Sequence, residues 1–230
     1  MDGSPRARSL ACDALRRTLD GRGVSVALSD DWQSLMQVNE RNRNSWFKPL
    51  PKPRSAEAFW LAALDRHGDV VATHAAIRLD CSAASFGARL ADLSAFHDPG
   101  DAPSEEWCFC ASEAAFDTRH TVAWIVAGWN RPDWRGKGLF HPLGTLARIV
   151  AMERWRPMWV VGLVDPETVP VWSGGAAAGR RRLDRRPTIC YHQQGVGRLP
   201  LHLMRFSRAS VLIDVADAVR PRAHALASAG

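Results

Sequence analysis

The sequence holds one tyrosine, Tyr191, against ten tryptophans, so any chemistry that needs a phenol rests on a single position. Lysine is nearly as scarce. Lys48, Lys52 and Lys137 are the three, and arginine supplies the other 27 of 30 basic residues, a bias that reads most simply as the base composition of a GC-rich genome. The cysteines, Cys12, Cys81, Cys108, Cys110 and Cys190, are odd in number and irregular in spacing, which argues against a disulfide framework; reduced thiols are the expectation. Cys108 and Cys110 with His97 and His120 lack the paired spacing of a structural zinc site, and no metal is expected. No run of about 18 apolar residues could cross a bilayer. Asp13 and Arg16 interrupt the apolar stretch a signal peptide would need. A cytoplasmic protein with no membrane partner is therefore expected.

What is present is ordinary for a folded protein: 46% apolar and 23% charged residues. A chain of 230 residues can bury roughly 70% of its unfolded surface as one large domain. The net charge of +6 and the run GRRRLDRRP (179–187) would suit a phosphate-bearing ligand or nucleic acid. Such runs are more often a solvated face, and this one lacks interleaved aromatics, which argues against nucleic acid, an aminoacyl-tRNA included.

Along the chain, residues 1–22 read as a partly helical N-terminal extension. VSVALSD (24–30) alternates like a short strand, and Asp30 or Asp31 then caps a helix from Trp32 to about Asn44. Two apolar runs within 59–79, divided at Gly68 and Asp69, predict a hairpin in which His74 packs against its neighbours. Residues 80–118 match no single pattern and read as an insertion. TVAWIVAGW (121–129) predicts a buried strand, residues 139–155 a helix with Leu139, Leu143, Leu146 and Val150 on one face, and MWVVGLV (158–164) a second buried strand. Strand, helix and strand at this spacing make a βαβ unit. A terminal strand pair is expected at 188–193 and 199–206. A last helical turn is expected at 214–219, within a tail that begins at 211.

The turn between that first strand and the helix carries the chemistry. Arg135, Gly136, Lys137 and Gly138 place positive charge and two glycines in front of a helix whose first N–H groups lack partners, which is how a chain binds an anion. A nucleotide phosphate loop needs Gly-Lys-Ser/Thr, whereas Gly138 follows Lys137. The dinucleotide fingerprint fails because His141 stands where its third glycine would.

These residues resemble the GNAT superfamily of acyl-CoA-dependent N-acyltransferases, whose pattern Arg/Gln-x-x-Gly-x-Gly/Ala is matched by Arg135 and Gly138, with Phe140 in place of the usual small residue. The order of elements from about Val24 to Phe206 is similar as well. The resemblance implies an α/β fold: a mixed, mostly antiparallel central sheet with a βαβ unit around the coenzyme site and helices on both faces. The domain so implied spans 23–210, with the insertion at about 80–118.

The resemblance implies further that acetyl-CoA or another acyl-CoA is the cosubstrate, bound by Trp129, Asn130, Arg135, Gly136, Lys137, Gly138, Leu139 and Phe140. The arm would pass between the fourth and fifth strands along Val126–Asn130. The acceptor would be a small-molecule or peptide amine, in a bacterial-like enzyme whose terminal strands could pair it into a homodimer.

Catalysis in the family needs a base for the ammonium and an acid, often a tyrosine, for the leaving thiolate. Asp165 and Trp172 stand where the family often has Asn and, seven residues on, Tyr. Tyr191 is the substitute candidate for the acid, and Glu113 and Asp165, with His120 and Glu167 behind them, are candidates for the base. Trp32, Trp46, Trp60 and Trp107 could form an aromatic pocket for the acceptor. The strand 121–129 carries no carboxylate, and this with Trp172 keeps open a second reading, a non-catalytic coenzyme A-binding or regulatory domain.

Overall fold

Ser4 accepts the Ala7 N–H and Pro5 occupies the first helical position, so helix α1 (Pro5–Asp20) begins within the described residues, which are 4–45, 51–173 and 182–220 of a computed structural model. Ala11, Leu15 and Leu19, four apart, form its buried face. Strand β1 (Ser25–Ser29) leads into α2 (Trp32–Arg41), capped by Asp31 through the N–H groups of Gln33 and Ser34. The helix stops three residues short of the expected Asn44 because Asn42 turns its side-chain amide back onto the Val38 carbonyl at 2.8 Å.

The expected hairpin forms from β2 (Ala58–Leu64) and β3 (Val70–Cys81), with Gly68 in the left-handed region (φ 82°) and the Asp65 carboxylate accepting the His67 and Asp69 N–H groups. The unpatterned stretch 80–118 holds α3 (Phe86–Ala91), β4 (Trp107–Cys110) and α4 (Glu113–Phe116). Elements of four to six residues are too short to show a period, and tertiary contact decides them.

Strand β5 (His120–Asn130), helix α5 (Phe140–Trp155) and strand β6 (Trp159–Val164) are the expected βαβ unit, β5 and β6 running parallel. The chain continues through α6 (Val169–Ser173), β7 (Arg182–Leu183), β8 (Ile189–Gln193), β9 (Gly197–Ser207) and α7 (Arg208–Val219). Instead of one last turn at 214–219, α7 is a helix of 12 residues. Ser207 caps it at the Ser210 N–H, and Val211 and Val215 are buried.

Among the described residues the sheet runs β1-β2-β3-β5-β6-β9-β8-β4, with β7 beside β9, and every pairing except β5–β6 is antiparallel. Helices cover both faces. On one face α5 packs with α1 and α7, which occupy the stretches read as extension and tail. Because α5 lies between the sheet and these two helices, it is buried almost all round from Leu143 to Met152, and not only along one stripe. On the other face α3, α4 and Phe96 enclose Trp124 and Tyr191. The mixed, mostly antiparallel sheet with its βαβ unit and two helical layers is the expected fold class.

Candidate functional site

Strand β5 changes course halfway along. Thr73 of β3 pairs with Trp129 and Ala75 with Val126, so Ala127 and Gly128 of β5 stand opposite His74 alone. This is a β-bulge: Ala127 takes the left-handed conformation (φ 52°), and its carbonyl accepts the Thr73 hydroxyl at 2.8 Å. The β5–β6 ladder ends at Ile125–Gly162, next to the bulge. Beyond it the facing backbone groups of the two strands have no ladder partner across the gap, and a cavity of about 100 Å³ opens between Val126–Gly128 and Gly162–Val164. His74, Phe140, Trp172 and Met204 close its sides, and Asp165 and Thr168 add polar groups.

Phe140 is both a wall of the cavity and the first residue of α5, so the cavity adjoins the turn before that helix. Leu139, at the helix start, offers no side-chain cap. Pro142 in the first turn carries no N–H, so the positive end of the helix dipole and the glycines before it are what this end offers an anion. Gly136 (φ 76°) and Gly138 (φ 73°) hold left-handed conformations that other residues rarely adopt.

Three cations surround this turn. The Arg135 guanidinium donates to the Ser45 carbonyl at 3.2 Å, the Lys137 ammonium lies 3.9 Å from the centre of the Trp134 ring, and Arg22 donates to the Gly138 carbonyl. Arg22 escapes sequence reasoning because it lies 116 residues away, in a stretch read as an extension, and only the packing of α1 against α5 brings it here. Arg131, also close in sequence, is engaged by Asp133 and Asp65.

The other residues named from the sequence fall as follows. Leu139 is fully buried in the core, and Phe140 turns inward against His74 and Trp172. The Trp129 indole donates to the Ser45 carbonyl at 3.1 Å, tying β5 to the same carbonyl as Arg135. The Asn130 Oδ1 is buried with no hydrogen bond.

The acid and base candidates are not brought together. Asp165 lines the cavity, its Oδ1 accepting the Glu167 N–H at 2.7 Å. Glu113 is exposed at the start of α4, and His120 and Glu167 are exposed as well; none of the three lines the cavity. Tyr191 does not line it either. The phenol lies on the opposite face of the sheet, stacked on Phe96 at 4.1 Å and donating to Glu106 at 2.5 Å. Burial and the Glu106 carboxylate push it well above an ordinary tyrosine, so it keeps its proton.

Of the tryptophans considered for an acceptor pocket, Trp32 and Trp60 stand together at one end of the sheet and Trp107 at the other. Trp60 donates to the Asp31 carbonyl near one end of the sheet, Lys52 lies over Trp32, and Trp107 stacks on His192 at the other end. Trp46 and residues 179–181 of the arginine run lie outside the described residues. No helix among the described residues is long and apolar enough to cross a membrane.

No family model and no curated protein matches the chain. Solved structures similar to it include a GCN5-related N-acetyltransferase from Kribbella flavida, at 14% identity over 80% of this chain and 98% of that one, with a TM-score of 0.41. An N-acyl amino acid synthase from uncultured soil microbes is 14% identical over 90% of this chain and 88% of its own, with a TM-score of 0.39. An aminoglycoside acetyltransferase solved with coenzyme A and kanamycin is 13% identical over 81% and 96%, with a TM-score of 0.40. The proteins that the chain distantly resembles are thus acyl- and acetyltransferases, and at TM-scores below 0.5 none of these likenesses bears on what it does.

Proposed function

We propose that the chain is an N-acyltransferase of the GNAT kind, moving an acetyl or other short acyl group from acyl-CoA to an amine. The observation that carries this reading is the parting of β5 from β6 at the bulge, next to a glycine-led, uncapped helix start ringed by Arg22, Arg135 and Lys137. An anionic pyrophosphate suits the helix start, where the helix dipole and the neighbouring cations favour negative charge. The amide-bearing arm behind it suits the gap between the strands, where backbone groups lack ladder partners.

In this reading a neutral amine attacks the thioester carbonyl, the C–N bond forms, the C–S bond breaks, and coenzyme A leaves as a thiolate that takes up a proton. Asp165, the one carboxylate among the described cavity-lining residues, is the acceptor for the ammonium proton. Tyr191 is given no part, since its hydroxyl serves Glu106 on the other face.

The test is amine-dependent release of free thiol from acetyl-CoA across a panel of polyamines, amino acids and aminoglycosides. At least one amine should give saturable release. Asp165→Asn should lower kcat by about 10²–10⁴-fold while leaving acetyl-CoA binding in place. Acetyl-CoA bound with no thiol released by any amine would instead support the non-catalytic reading, which the sparse proton-transfer groups of the cavity favour.

A further inference from the structure

His74 lines the cavity, 1% exposed, and neither Nδ1 nor Nε2 makes a hydrogen bond of good geometry, the Phe140 backbone being the one hydrogen-bonding group felt by the ring among the described residues. Buried polar atoms without partners are rare in folded chains and call for a reason. Here the surroundings are shaped to the ring. A Cβ on Gly128 would stand 3.0 Å from its Cε1, and a Cβ on Gly144 would stand 3.1 Å from the same atom, so both positions leave room for the imidazole that a side chain would take away. Phe140 packs on the ring at 4.7 Å between centroids. An apolar residue would fill the same space without the cost of dehydrating two ring nitrogens.

Burial first, and then the Arg148 cation nearby, push His74 down to about 3, outweighing the opposite pull of the Phe140 backbone. The ring is therefore neutral near pH 7, with one N–H donor and one acceptor nitrogen. It stands at the bulge, opposite Ala127 and Gly128, where the strands part.

We propose that the His74 imidazole is a ligand-binding group of this cavity, giving its N–H to a carbonyl oxygen of the acyl donor, an arm amide or the thioester, that enters between β5 and β6. The inference rests on the acyl-CoA reading of the cavity and adds to it a polar contact from β3. His74 acts as a hydrogen-bond donor and takes no proton from the reaction.

The experiment titrates acetyl-CoA and coenzyme A separately into the wild-type protein, His74→Leu and His74→Gln, and follows the imidazole nitrogens of the wild type by ¹⁵N NMR. His74→Leu should bind about tenfold more weakly, the loss expected for one hydrogen bond, and His74→Gln should recover part of it. A loss confined to acetyl-CoA places the contact at the thioester; an equal loss for both ligands places it at an arm amide. In the wild type the ligand should shift a His74 ring nitrogen, a readout that does not depend on either variant folding. Unchanged affinity in folded His74→Leu together with unmoved ring nitrogens would overturn the proposal while leaving the acyl-CoA site standing. A wild-type protein that binds neither ligand would overturn both.

Discussion

Glu106 is held by three groups, the Tyr191 hydroxyl at 2.5 Å and the Gln194 N–H at 3.1 Å from the far end of the chain and His97 Nε2 at 2.7 Å from nine residues away. Burial alone would raise its pKa, but these hydrogen bonds outweigh that effect and hold the carboxyl below the usual carboxylate range. A depressed folded-state pKa contributes stability that is fully present above the unfolded value, near 4.5, and is lost as the pH falls through the folded one. Glu106→Gln is accordingly expected to lose about 1–3 kcal/mol at pH 7, with the gap to wild type narrowing below about pH 4.5, as measured by urea unfolding across pH. A gap that stays constant with pH would contradict this assignment. At the residue scale little of this was legible in the sequence. Asp165 and the glycine-turn cations stand in or beside recognisable local patterns. Glu106, His74 and Arg22 owe their roles to partners brought near by the sheet or by helix packing, and no local pattern encodes such a partner.

At the scale of elements the chain declares itself where a period is long enough to read. The hairpin, β5, α5 and β6 follow from alternation, a 3.6-residue stripe and turn residues. What α5 packs against was not legible. A stripe of leucines at spacings of four and three predicts one buried face, whereas α1 and α7 cover the helix from outside and bury Arg148 within it. That arginine meets Asp214 of α7 at 2.9 Å, each side chain 7% exposed, and lies over the Phe206 ring. Removing one member of a buried pair strands the other charge, so Asp214→Ala should cost about 3–5 kcal/mol. The double replacement Arg148→Met with Asp214→Leu should recover most of that loss in thermal or urea unfolding. A single variant as stable as wild type would show that α7 is not held through this pair.

At the scale of the whole molecule, the proposed entry point for a ligand lies at the bulge opposite His74, where the sheet parts. The parallel pairing β5–β6, the one such pairing among the described residues, is short on the side of the bulge, and the helix that connects its strands starts beside the gap. The sequence carried the βαβ unit and the glycine turn. The strand reading missed the bulge: Gly128 inside β5 is its one local signal, while Ala127, which takes the left-handed conformation, is an ordinary residue.

The most direct measurement is calorimetric titration of the purified protein with acetyl-CoA, coenzyme A and ATP, repeated with Arg135→Glu. The account predicts saturable one-site binding of acetyl-CoA and coenzyme A in clear preference to ATP, abolished or greatly weakened by the charge reversal at the turn. Equal binding of ATP, or binding of the coenzyme that Arg135→Glu leaves unchanged, would contradict it.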